Sequence, residues 1–180
     1  MKLLRMSQAS PTPFIRDLLG TAITSVVTVV CLAAITRLLA EGFGADGFGA
    51  YSVARRVVST IEPLSTLAMG IAVTRYIAMC GDREGQASYL IAGTILVGAP
   101  ALALLVVGLS LGTTLAQALF LDGTKYYSLL VAMLFFIVAY SFYILLYAYY
   151  RGTGRMSHAN LWQVSVIAVG PLSIAWMFAQ

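Results

Sequence analysis

The sequence is short of charge. Of its 180 residues only 10% are Asp, Glu, Lys or Arg, whereas 60% are hydrophobic and the mean hydropathy is +0.89. A soluble domain carries about 25% charged residues. The scarcity excludes an ordinary water-soluble globule and a disordered chain, and leaves a membrane protein. Histidine is limited to His158 and cysteine to Cys31 and Cys80. The cysteines lack metal-ligand spacing and fall in or beside apolar runs, so they read as small buried residues, and no metal site is expected. With no Ser/His/Asp or Cys/His set in view, neither an enzyme nor a cofactor is expected. Basic residues outnumber acidic ones by 11 to 7, for a net charge of +4. On a chain this apolar the excess belongs to loops at a membrane surface, and no nucleic-acid partner is expected.

Long uncharged runs take the place of charge. Leu18–Thr36 has 19 such residues, Gly85–Leu121 has 37, and Tyr126–Tyr150 and Met156–Gln180 have 25 each. Val57–Thr74 is apolar apart from Glu62. A helix crosses the hydrocarbon core with about 20 apolar residues. The expected fold is therefore all-α: a polytopic transmembrane bundle with five spans at about 18–40, 51–79, 88–112, 126–150 and 160–179. A polar, basic segment, 1–17, precedes the bundle, 18–180. It ends in a short amphipathic turn at Phe14, Ile15, Leu18 and Leu19. The long third run reads as one span, bent if anywhere at Pro100, with Thr113–Leu121 at the surface.

Five spans place Lys2, Arg5, Arg16, Arg75, Arg83, Arg151 and Arg155 on one side, and Arg37, Arg55, Arg56 and Lys125 on the other. The positive-inside bias then puts the N-terminus in the cytoplasm. Tyr126 and Tyr127 suit one aromatic belt, Tyr149 and Tyr150 the other.

The second span, Tyr51–Met79, would be about 43 Å long as a straight helix, more than a bilayer core needs. It must tilt, bend at Pro63 or project. Ser52, Arg55, Ser59, Glu62 and Thr66 recur along it at spacings of 3 and 4, which places them on one face. A charge at the bilayer centre costs roughly 2.5 to 3.5 kcal/mol on the mildest scale, so this face should look into a bundle or a wet cavity. Arg55 or Arg56 would attract an anion there, and Glu62 would exchange a proton. The plainer alternatives are that the arginines snorkel to the interface and that Glu62 pairs with a neighbouring helix. Arg37 reads as a boundary residue. Tyr140, Tyr143, Tyr147 and Tyr150 form a stripe on the fourth span, suited to stacking on sugars and equally to interhelical packing. Gly108 and Gly112 permit close helix contact. The loop Tyr150–Arg155 lacks the Gly-Lys-Ser/Thr ending of a phosphate loop.

Three segments carry a family resemblance: Thr36-Arg37-Leu38-Leu39 with Phe43-Gly44-Ala45-Asp46-Gly47-Phe48-Gly49-Ala50-Tyr51; Gly70-Ile71 with Thr74-Arg75-Tyr76-Ile77-Ala78; and Tyr150-Arg151-Gly152-Thr153-Gly154-Arg155. Their order and spacing, over about residues 14–180, resemble the N-terminal half of polysaccharide (O-antigen type) flippases. The superfamily also holds multidrug extrusion transporters and the lipid II flippase. The glycines of the first segment suit a tight outer turn.

The resemblance implies two lobes around a cavity with alternating access, and a chain that is the N-terminal part of a longer one. The implied activity is transfer of lipid-linked oligosaccharide across the cytoplasmic membrane in O-antigen and lipopolysaccharide synthesis. The implied partners are the lipid bilayer, the lipid-linked glycan, a coupling ion (proton or sodium) and other glycan-assembly membrane proteins. Candidate cavity residues are Arg55, Arg56, Ser59, Glu62, Thr66, Tyr140 and Tyr143. Two alternatives stand beside this reading: an ion-coupled drug or small-molecule exporter, and a non-transporting scaffold of a glycan-assembly complex.

Overall fold

A computed structural model describes residues 11–120 and 125–178. Residues 1–10 of the N-terminal segment, with Lys2 and Arg5, residue Leu121 and residue 179 of the fifth expected span lie outside the described residues. Among those described, every regular element is helical: α1 (Pro11–Thr66), α2 (Met69–Met79), α3 (Arg83–Ser110), α4 (Gly112–Leu119), α5 (Tyr127–Gly152), α6 (Met156–Gln163) and α7 (Gly170–Phe178), with a π-helical stretch, Val164–Val169, joining the last two. Four helical stretches are long and apolar enough to cross a membrane: Ile15–Thr66, Arg83–Ser110, Tyr127–Gly152 and Met156–Met177.

The outer turn expected between the first two spans contracts to a single residue. Gly44 adopts φ 63°, ψ −171°, while its neighbours stay helical. Such a backbone suits a residue without Cβ. Contacts show that the chain reverses there. Thr21 meets Asn160 on α6, while Ala50 and Ala54 share an apolar cluster with Phe120 and Leu130 near the start of α5. Further on, Thr74 meets Ala148 near the end of α5. The part of α1 after Gly44 therefore runs alongside α5 in the same direction.

The expected continuous helix Tyr51–Met79 is interrupted. Leu67 and Ala68 both have positive φ, 48° and 55°, and α2 starts afresh at Met69. Pro63 continues the helix without a break at its own position. The interruption follows four residues later, where the Ser65 and Thr66 hydroxyls donate back to the Glu62 carbonyl at 2.9 and 3.0 Å. Such back-bonding offers the chain an alternative to the helical ladder.

α3 runs through Pro100 unbroken and stops at Leu111. Thr113–Leu119, expected as a surface tail, instead continues α4, which buries Gly112 and Ala116. The π-helical stretch has a local cause: Pro171 has no N–H and its ring crowds the carbonyl four residues back. The ladder widens just before it, with the Gly170 N–H donating to the Ser165 carbonyl.

α5 is the hub. Leu130, Met133, Leu134 and Ile137 pack against α1 and α4, and Leu145 and Ala148 against Val73 and Ile77 of α2 and Val97 of α3. Small residues permit the approach. A Cβ on Gly108 would lie 2.7 Å from Leu134, and one on Gly112 would lie 2.8 Å from the Tyr127 ring. Cys31 and Cys80 are free and only partly buried, less than expected.

Candidate functional site

The structure divides the expected polar residues between two grooves. The first, ≈ 440 Å³, lies in the crook of α1. Thr36 lines it from before the Gly44 bend, and Tyr51, Ser52, Arg55, Arg56 and Ser59 from after it. Arg55, Arg56 and Ser59 are exposed. The Ser59 hydroxyl donates to the Arg56 carbonyl at 2.9 Å, which leaves its oxygen lone pairs as acceptors.

Glu62 and Thr66 stand apart from that groove. Glu62 is partly buried and Thr66 is buried, so the five-residue face is not one open strip. Ser65, which the spacing argument passed over, is buried, with its Oγ 3.4 Å from Ser141 Oγ. That contact sets Glu62 at the level of the middle of α5, within electrostatic reach of Tyr140.

The second groove, ≈ 590 Å³, lies between α2 and α5 and is closed on one side by Gln163 of α6. Tyr140, Tyr143 and Tyr147 form its aromatic wall. Their rings follow one another at centroid separations of 5.4 and 6.0 Å, and Phe136 extends the ladder 5.6 Å before Tyr140. Tyr150 leaves the ladder and stacks on His158 at 5.8 Å.

Two arginines that the sequence pattern did not single out, Arg75 of α2 and Arg151 of α5, line the same groove. Arg151 sits 5.6 Å from the centre of the Tyr147 ring, a cation–π contact. Small residues fix the register that brings the two together. A Cβ on Gly152 would lie 2.9 Å from Ile77 and from the Thr74 carbonyl, and one on Gly70 would lie 2.9 Å from Ile144. Thr74 Oγ1 donates to the Gly70 carbonyl of its own helix at 2.8 Å and lies 3.2 Å from the Ala148 carbonyl across the seam.

Among the described residues the ion pairs are Arg16–Asp17 and Arg37–Glu41. Arg37 is thus an exposed residue paired within its own helix, as suits a boundary position. Arg55, Arg56, Arg75 and Arg151 have no carboxylate partner among those residues, and unpaired guanidinium groups with their fixed donor forks suit phosphate or carboxylate. The chain matches no family model, no curated protein and no solved structure.

Proposed function

We propose that this chain acts in a membrane transporter that moves an anionic, lipid-linked oligosaccharide across the cytoplasmic membrane for cell-surface polysaccharide synthesis. One observation carries the reading. A single wall, formed by α1 after Gly44 and by α2, bears an arginine-lined groove towards each end, with Glu62 between them. The two grooves are about 20 residues apart, at most roughly 30 Å of helix, which is close to the thickness of the hydrocarbon core.

We read the two pieces of this wall as one broken crossing, which gives five crossings in all. Broken helices at membrane depth suit places where the backbone lines a cavity. The Lys and Arg bias then sets the Arg75–Arg151 groove on the cytoplasmic side and the Arg55–Arg56 groove on the outer side. An anion could be attracted at either face, as alternating access requires. The tyrosine ladder offers ring faces and hydroxyls to sugars.

The test is a flipping assay in vesicles. The protein as its own gene encodes it is reconstituted with a polyprenyl pyrophosphate oligosaccharide whose sugar carries a fluorophore, and loss of the inner-leaflet signal to an impermeant quencher is followed. Flipping above protein-free vesicles, reduced at least about tenfold when Arg55→Gln and Arg56→Gln remove two charge-assisted contacts, supports the reading. Flipping no faster than in protein-free vesicles overturns it.

The partial burial of Glu62 at mid-wall favours a second reading, an ion-coupled small-molecule exporter. That reading requires Glu62→Gln to abolish the pH dependence of transport. An unchanged pH profile sinks it, and with it any role for Glu62 in proton coupling.

A further inference from the structure

We infer that the groove between α2 and α5 binds the headgroup of a phosphate-bearing glycolipid, with the phosphate at Arg75 and Arg151 and the first sugar on the tyrosine ladder. The inference deepens the transporter reading and rests on it for the identity of the ligand. Four observations converge.

The first is charge. Arg75 and Arg151 line one groove, and no Asp or Glu lines it. An anion is therefore drawn to the arginine end. Two guanidinium forks match the several oxygens of a phosphate or pyrophosphate better than a single carboxylate.

The second is the aromatic wall. Tyr143 and Tyr147 follow each other at 6.0 Å, and each is partly buried and lines the groove. Such rings cover an apolar sugar face while their hydroxyls accept and donate hydrogen bonds. Gln163 adds an amide across the groove. The volume of ≈ 590 Å³ falls within the range of small-ligand sites.

The third is the opening. Ile71 lines the groove and is 77% exposed, so the groove opens sideways onto the apolar surface of α2. A soluble sugar phosphate has no use for such an exit, whereas a lipid chain leaves through it into the bilayer. The fourth is rigidity: the contacts of Gly152, Gly70 and Thr74 hold α2 on α5, so the two arginines are presented without a further ordering of backbone.

Native mass spectrometry of the full chain in phosphatidylcholine nanodiscs tests the site directly. The probes are polyprenyl pyrophosphate carrying one N-acetylglucosamine, the same lipid without the sugar, phosphatidylglycerol, and inorganic pyrophosphate. One glycolipid should bind per chain. Arg75→Gln and Arg151→Gln should each weaken it about tenfold, and together about a hundredfold, as loss of charge-assisted contacts demands. The Arg→Lys versions keep the charge without the fork and should bind more tightly than the Gln variants and less tightly than the unaltered protein, which separates lost charge from lost fold. Tyr143→Ala should weaken the sugar-bearing lipid about fivefold and leave the sugar-free lipid unchanged. Arg37→Gln, which removes an arginine paired with Glu41 outside both grooves, should change binding less than twofold.

Unchanged binding in the Arg75→Gln, Arg151→Gln double variant overturns the site. Phosphatidylglycerol binding as tightly as the glycolipid also overturns it, in favour of an ordinary bilayer-lipid contact. Inorganic pyrophosphate binding as tightly overturns the lipid part in favour of a free phosphate. The assay needs no transport. Binding that depends on these arginines with no flipping sinks the transporter reading alone, and flipping with binding indifferent to them sinks this site alone.

Discussion

α1 and α5 are both long, apolar and free of charge over a full membrane crossing, yet the bundle treats them differently. In α5, 39% of the most hydrophobic stretch is buried within the protein; in α1 the share is 17%. Val26, Val29 and Val30 of α1 are more than 60% exposed, whereas Leu130, Ile137 and Leu145 of α5 are at most 2% exposed. Hydropathy does not separate the two helices, because lipid tails and protein interiors are about equally apolar. The neighbours separate them. α5 is met by Gly70, Gly108 and Gly112, each of which would collide with an α5 side chain if it carried a Cβ, whereas Gly42 on α1 has nothing within 4 Å. Close backbone approach, rather than greasiness, decides which helix becomes the hub. The α2–α5 groove is a by-product of that approach, and α1 before Gly44 is left largely to the bilayer.

The sharpest way to break this comparison is to empty the hub. Ile137→Ala should cost about 2 kcal/mol or more, because a buried cavity lined by packed helices closes only partly. Val29→Ala, on the exposed side of α1, should cost less than about 0.5 kcal/mol. Unfolding in mixed micelles with increasing SDS measures both. Equal costs would mean that α5 is no better packed than α1.

A step smaller is the seam itself. Gly152→Val should destabilise by roughly 1–3 kcal/mol through overpacking against Ile77 and the Thr74 carbonyl. It should also push Arg151 away from Arg75 and weaken glycolipid binding in the nanodisc measurement. Gly42→Ala should leave both unchanged. A Gly152→Val protein with full stability and full binding would show that the register of α2 on α5 does not assemble the groove.

Much of this was legible in the residues. α3 and α5 fall within about five residues of the expected spans 88–112 and 126–150, because charges at Arg83 and Arg151 mark where an apolar run meets the polar boundary. The bend at Gly44 lay within the glycine-bearing turn, although only that one of its glycines leaves the helical region. The break at Leu67–Ala68 was not legible. Neither residue is a turn former, and the break follows two hydroxyls, Ser65 and Thr66, that donate back to the Glu62 carbonyl rather than any turn signal of its own. Spacings of 3 and 4 put Arg55 and Glu62 on one helical face, but the Gly44 bend closes a groove around Arg55 and Arg56 that Glu62 does not reach. Arg75 and Arg151 are 76 positions apart, so no local pattern joins them; their common side in the basic-loop count was the one available hint.

The smallest effect separates contact from coupling at the centre of the wall. Ser65 and Ser141 are both buried, and their hydroxyl oxygens lie 3.4 Å apart. Each hydroxyl has one proton. Ser65 gives its proton to the Glu62 carbonyl at 2.9 Å, and Ser141 gives its own to the Ile137 carbonyl at 2.8 Å. With both protons spent within their own helices, the two oxygens touch without a donor between them. A double-mutant cycle of Ser65→Ala and Ser141→Ala should therefore return a coupling below about 0.6 kcal/mol, the average of measured interhelical hydrogen bonds in a membrane protein. A coupling above about 1 kcal/mol would mean that one proton crosses between the helices. The Glu62 or Ile137 carbonyl would then lack its side-chain donor, and the explanation given for the break after Thr66 would have to be replaced.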